Sequence, residues 1–315
     1  MKNFADRLAA KIKEMNNPTV LGLDPKLDYV PVSMREEWVK KEPNVQTASA
    51  MAILQFNKAL IDASCDIIPA VKTQFAYYEM YGVEGMKALK RTIDYAHSKG
   101  MLVIADAKRN DIGATAQAYA AGIIGETTLI DGSDEAMTGA DAITLNAYLG
   151  IDGIEPFLKV AREAGKGMFI LVRTSNPSAG DFQDLKLEDG RTVYEAVADK
   201  VTEWGLPLIG ESGLSSVGAV VGATWPEQAK TLRERMPRSF ILVPGYGAQG
   251  GDADSAVCAF TDRGDGALVN ASRSLMCAYK KRNDLEEEDF AAATRDEAIR
   301  MREDLNAAIE KKLNI

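Results

Sequence analysis

The sequence predicts a (β/α)₈ TIM barrel, an α/β fold, on three observations. Eight short apolar, β-rich runs recur between residues 19 and 270. They are continuous rather than alternating, as parallel strands covered on both faces should be. Helical patterns separate them, over about the 250 residues such barrels take. A doubly wound open sheet is the structural rival, but the early Gly-rich turn of a dinucleotide-binding sheet is absent.

The runs, in order, are Thr19–Asp24, Ile67–Lys72, Met101–Asp106, Asp141–Asn146, Gly167–Val172, Val217–Gly222, Ser239–Pro244 and Gly266–Asn270. Between them, helical periodicity covers Gln46–Ser64, Gly85–Lys99, Ile154–Ala164, Thr192–Trp204, Pro226–Arg235 and Ala253–Arg263. A polar insertion, about Leu27 to Asn44, follows the first strand. The stretch from Ser175 to Arg191 is long and rich in Gly, Ser and Asp, which suits a mobile lid. From Leu285 onward the chain reads as a long, charged amphipathic helix with a solvated face. No linker or low-complexity stretch interrupts this pattern, so residues 1–315 are expected to form one domain.

Composition narrows the function classes. The net charge of −9 argues against nucleic acid as a partner. No apolar run approaches the roughly 20 residues that span a bilayer, and the amphipathic start Met1–Leu8 is not a signal peptide. Cys65, Cys258 and Cys277 are scattered, odd in number and lack metal-ligand spacing, as reduced packing residues of a cytoplasmic protein would be. The single histidine, His97, falls at a helix end before Gly100, where it complements the helix dipole. A mechanism built on a His base or a His-rich metal site is therefore not expected.

Polar residues gather at one end of the predicted strands, where barrel active sites form. They are Asp24, Lys72, Asp106 with Lys108, Asn146, Arg173 to Ser175, Gln249 and Arg273. Any one alone is more simply a cap or surface group; seven of eight strands contributing at the same end is not. The segment Ala105-Asp106-Ala-Lys108-Arg-Asn-Asp111 sets carboxylate, ammonium and carboxylate within six residues after a buried run. Residues two apart on a strand share a face, so Asp106 and Lys108 should point together. Such an array is costly to bury and marks chemistry more often than packing. In the last two loops, Pro244-Gly-Tyr-Gly-Ala-Gln249-Gly offers backbone N–H groups and an amide, and Arg273 offers a guanidinium suited to a phosphate.

These motifs resemble the orotidine 5′-phosphate decarboxylase family, most closely its longer bacterial branch. The resemblance rests on Gly22-Leu-Asp24-Pro25, Val71-Lys72-Thr-Gln74, Asp106-Ala-Lys108-Arg-Asn-Asp111-Ile112-Gly-Ala-Thr115, Thr174-Ser175-Asn-Pro177, Val221-Gly-Ala-Thr224, Pro244–Gly250 and Ala271-Ser272-Arg273, in family order. It implies cofactor-free decarboxylation of orotidine 5′-phosphate to UMP. Lys108 would protonate C6, within a charge network of Lys72, Asp106, Lys108 and Asp111. It implies a homodimer in which Asp111, Ile112 and Thr115 reach the neighbouring subunit's site. Asp24 would hold a ribose hydroxyl, Ser175 the pyrimidine edge, and Gln249 with Arg273 the 5′-phosphate; Asn146 counts among the substrate-binding candidates. Ser272 departs from the glycine many members carry before the phosphate arginine.

Two rival readings fit parts of the sequence. Keto-gulonate phosphate decarboxylases and hexulose phosphate synthases share the Asp-x-Lys-x-x-Asp element, but use Mg²⁺ held by an acidic residue after the second strand. Here that position is Lys72, which would repel the ion. The other rival is a silent nucleotide-binding barrel, since fold alone does not prove function.

Overall fold

The computed structural model describes residues 2–247 and 251–314. Eight parallel strands close into a barrel: β1 (Thr19–Leu23), β2 (Ala70–Gln74), β3 (Leu102–Arg109), β4 (Ala142–Leu145), β5 (Gly167–Arg173), β6 (Ser215–Val221), β7 (Ser239–Val243) and β8 (Ala267–Ala271). Each pairs with its neighbours in sequence, and β1 closes on β8 through Thr19–Val269 and Val20–Asn270. All eight predicted runs are strands. β2 begins later than expected because Ile67 and Ile68 still donate to Ser64 O, and Pro69 lacks the N–H that ladder pairing requires. β3 runs three residues further than expected, and this extension shapes the site.

Two apolar shells hold the barrel. The outer one packs strand faces against the surrounding helices, as Phe56, Ile93, Phe157, Val201 and Leu232 illustrate, all buried. The inner one fills the lumen with Val20, Ile104, Phe169, Phe240, Leu242 and Leu268. Helix Phe4–Met15, capped by Asn3 accepting from the Asp6 N–H at 2.9 Å, closes the lower end. Its Phe4 packs edge-on against Phe169, with centroids 6.0 Å apart. Gly167 makes this possible, since a Cβ there would lie 2.2 Å from the Phe4 ring.

The lower end is also where His97 has a task that dipole complementarity does not describe. Its Nε2 lies 2.9 Å from Asp141 Oδ2, which accepts the Val103 N–H at 2.9 Å, while Arg7 donates to Oδ1 at 2.7 Å. Burial alone would raise the Asp141 carboxyl, but these donors outweigh it and hold it at about 2.

The connecting segments carry more helix than their composition suggested. The insertion after β1 contains helix Val32–Lys41, and helix Gly113–Ile123 follows β3. A small hairpin pairs Thr127–Thr128 with Asp134–Glu135, leaving Ile130 fully exposed. The stretch expected as helix Ala253–Arg263 is instead one α-turn, Ala253–Ala256, and a 3₁₀ turn, Val257–Ala259. The long terminal helix is Phe290–Leu313, packed through Phe290, Met301 and Leu305. Among the described residues, no helix is long and apolar enough to cross a membrane.

Candidate active site

The C-terminal ends of the strands open on a cavity of about 730 Å³. Asp24, Lys72, Asp106, Lys108, Ser175 and Arg273 line it together. Asp106 is its electrostatic centre. Oδ2 accepts from Lys72 Nζ at 2.7 Å and Gln74 Nε2 at 2.9 Å. Oδ1 accepts from Lys108 Nζ at 2.6 Å and the Thr144 hydroxyl at 2.8 Å. Asp24 Oδ1 stands 3.8 Å from Lys72 Nζ. The charges thus alternate along a line, Asp24, Lys72, Asp106, Lys108.

Alternation is what makes this assembly tolerable. Lys72 and Asp106 are 4% and 6% exposed, and either ion alone would be strongly disfavoured in so dry a place. Burial pushes the Asp106 carboxyl up, but the Lys72 and Lys108 ammoniums more than cancel this, and it stays ionised far below the usual carboxylate range. Burial likewise pushes the Lys72 ammonium down, and the Asp106 and Asp24 carboxylates turn the net shift upward. Both groups are therefore charged at neutral pH, one of each sign.

Strand alternation alone does not bring Asp106 and Lys108 together. Between Ala105 and Arg109 the ladder slips: those residues pair with Ile143 and Leu145, so four steps on β3 face two on β4. This bulge puts Lys108 at φ 46°, the left-handed region. The groups it orphans are picked up by side chains. Lys108 N–H donates to Thr144 Oγ1 at 3.0 Å, and Arg109 Nη1 donates to Ala107 O at 3.0 Å. Arg109 also pairs with Glu79 and lies over the rings of Phe75 and Tyr119, at 5.6 and 5.5 Å. The ladder resumes where Asn146 N–H donates to Arg109 O.

Not every predicted residue reaches the cavity. Asp111, Ile112 and Thr115 sit just past the bulge at the start of helix Gly113–Ile123, outside the cavity lining. Ile112 is 51% exposed, Thr115 is exposed, and Asp111 Oδ1 accepts the Ile112 N–H at 2.8 Å. Asn146 is also outside the lining, and its Oδ1 accepts the Tyr148 N–H at 2.9 Å within its own loop. Gln249 lies outside the described residues.

On the far wall, buried Arg173 lies 4.5 Å from the Trp225 ring and bonds Gln183 Oε1 and Asp184 Oδ2, each at 3.2 Å. It thereby pins the loop after β5, in which Pro177–Ala179 and Gly180–Gln183 are short helical turns. Gln183 in turn takes the Thr174 N–H at 3.0 Å and gives to the Thr174 hydroxyl at 2.8 Å. In the loop after β7, Tyr246 bonds Asp304 of the terminal helix, and glycines at φ 102° and 70° flank it.

Sequence reasoning left Gln74, Thr144, Gln183 and Asn270 without roles, although all four line the cavity. Gln74 and Asn270 sit at strand ends and were visible there as polar residues. Nothing local marks Thr144, which reads as an ordinary β-branched strand residue. Among the described residues that line the cavity, the buried acceptors Asp24 Oδ1 and Asn270 Oδ1 have no hydrogen-bond partner.

Comparison with known proteins supplies the affiliation. Residues 43–287 match the model of the orotidine 5′-phosphate decarboxylase / HUMPS family. The chain belongs to this family. It is 42% identical to the orotidine 5′-phosphate decarboxylase of Rhodopirellula baltica, over 97% of this chain and 99% of that one. It is 41% identical to the protein of that name in Clostridium tetani, over 98% and 99%. Among solved structures, the OMP decarboxylase of Leishmania donovani superimposes with a TM-score of 0.74 at 30% identity, covering 98% of this chain and 99% of the other. As a member of the orotidine 5′-phosphate decarboxylase family, the chain carries its charged line just after β1 and on β2 and β3 of the barrel.

Proposed function

We propose that this chain decarboxylates orotidine 5′-phosphate to UMP and CO₂, the last step in making UMP, without a cofactor. The observation that carries the reading is the buried line Asp24–Lys72–Asp106–Lys108, with one carboxylate bridging two ammoniums at 2.7 and 2.6 Å. The near-full-length relatives named as this enzyme support it.

Loss of CO₂ breaks the C6–carboxylate bond and leaves its electron pair on an sp² carbon with no adjacent sink. Stabilisation must then come from fixed charge. Lys108, whose side chain lines the cavity and is nearly half exposed, supplies positive charge beside C6 and then its Nζ proton, giving UMP. Asp106 stays anionic, orients both lysines and faces the departing carboxylate. Asp24 Oδ1, without a hydrogen-bond donor among the described residues, accepts a ribose hydroxyl. Ser175 meets the pyrimidine edge, and Arg273 with Gln249 takes the phosphate. Binding energy from that remote phosphate serves closure of the 175–191 loop and exclusion of water.

Asp111, Ile112 and Thr115 act on the site of a second copy, so the enzyme is a homodimer with shared sites. The exposure of Ile112 and Thr115, and the place of all three outside their own cavity's lining, support this. A mixing experiment tests it: Lys108→Ala and Asp111→Ala variants each keep only a small residual activity, but mixed after dissociation they regain about a quarter of wild-type activity. That is the statistical share of intact sites, because reassociated heterodimers have one complete site each. No recovery refutes sharing. The setting is cytoplasmic, in keeping with three unpaired cysteines.

The decisive test is loss of substrate absorbance when orotidine 5′-monophosphate is added in excess EDTA. Turnover to UMP is expected. UMP binding without turnover would instead favour the silent barrel, and activity on sugar phosphates only with Mg²⁺ would favour the metal-dependent relatives. The second outcome conflicts with Lys72, whose ammonium stands between Asp24 and Asp106.

A further inference from the structure

We propose that Thr144 is a positioning residue for the decarboxylation, acting through Lys108 and Asp106; this rests on the reaction proposed above. The bulge in β3 strips the Lys108 N–H of its ladder partner, and Thr144 is the β4 residue between the two where pairing is intact, Ile143 and Leu145. Its hydroxyl accepts that N–H at 3.0 Å and donates to Asp106 Oδ1 at 2.8 Å. Lys108 Nζ reaches the same Asp106 oxygen at 2.6 Å. Backbone and ammonium of one residue are thus tied to a single carboxylate oxygen, and Thr144 is the tie on the backbone side.

The chemistry of the link is restrictive. A hydroxyl has one proton and two lone pairs, so donating to Asp106 leaves a lone pair for Lys108. Valine has the shape without either function, and serine has both functions without the methyl. At 1% exposure no solvent is at hand to replace the lost bond. Without the hydroxyl, an N–H is orphaned where Lys108 already holds an unfavourable φ of 46°, and the bulge has cause to relax. Lys72 and Gln74 use the other oxygen of Asp106 and keep their bonds. The damage should therefore fall on Lys108 and on turnover, not on binding.

The test compares Thr144→Val, Thr144→Ser and wild type for kcat, KM and UMP affinity, with a melting curve for each. Valine should lower kcat about ten- to a hundredfold, the range set by one lost hydrogen bond to a charged group, and leave KM and UMP affinity within about twofold. Serine should recover most of kcat. In a Lys108→Ala background, Thr144→Val should cost no further activity, because the residue acts through that lysine. If the valine variant does not fold, Thr144→Ala carries the same expectations. Unchanged kcat, a change confined to KM, failure of serine to rescue, or additive losses in the Lys108→Ala background would each overturn the role. Absence of turnover by the wild type would overturn the reaction and this role with it. Equal turnover by wild type and Thr144→Val overturns the role alone.

Discussion

Replacing Asp106 by asparagine is the sharpest probe of the charged line, because the side chain keeps its shape. Every bond Asp106 makes is as an acceptor: Lys72 and Gln74 donate to Oδ2, and Lys108 and Thr144 to Oδ1. An amide has one oxygen. Whichever way it is turned, its NH₂ faces two donors, one of them an ammonium. Lys72, 4% exposed, then keeps only Asp24 at 3.8 Å as counter-charge. Breaking a buried pair by removing one partner costs about 3–5 kcal/mol. For a chain of this length that lowers the melting temperature by roughly 5–8 °C. Lys108 loses its anchor in the same step, so kcat should fall by at least about a thousandfold, equivalent to some 4 kcal/mol. Thermal melting by circular dichroism and steady-state decarboxylation read the two effects separately. A variant that melts within a degree of wild type and turns over normally would refute the coupling of these charges.

Three further outcomes are expected. Lys108→Ala should lose at least about 5 kcal/mol of transition-state stabilisation, beyond the effect of one oxyanion-hole donor, and near-normal single-turnover rates would end its assignment as proton donor. Arg273→Ala should raise KM strongly with a smaller change in kcat; an unaltered KM would remove it from phosphate binding. Asp141, held at about 2 against an ordinary 3.8, contributes stability that is fully present above pH 4 and is lost as pH falls toward 2. Asp141→Asn should therefore destabilise the protein by roughly 2 kcal/mol at neutral pH, with the difference vanishing in acid melts; a pH-independent difference would contradict that account.

The barrel was legible because its signal is redundant. Each of the eight runs is apolar on both faces, and a barrel with a filled lumen and a helical coat demands that. Lys72, Asp106 and Lys108 were legible too, since ions at the ends of such runs have no packing reason to be there. What escaped depends on register between distant segments. Thr144 acquires its bonds only because β3 slips by two residues against β4, and nothing within either strand announces the slip. The partnership of His97 with Asp141 joins residues 44 apart. Asn146 looked like its neighbours at the strand ends, but its side-chain oxygen serves the turn that follows it. Local patterns reveal which face a residue occupies; they do not reveal which partner stands across from it.

Lys108 differs from the other described non-glycine residues at positive φ. Asn16 and Asn314 close helices, where asparagine adopts that conformation readily. A lysine there costs about 1 kcal/mol or more, which glycine would not. Folding and the proton transfer proposed for Lys108 thus pull position 108 toward different residues. A lineage that gave up the reaction while keeping the barrel would gain by drifting to glycine at this point. If Lys108 carries the proposed proton transfer, the residue at the bulge in descendants of this scaffold records whether the chemistry is still under selection.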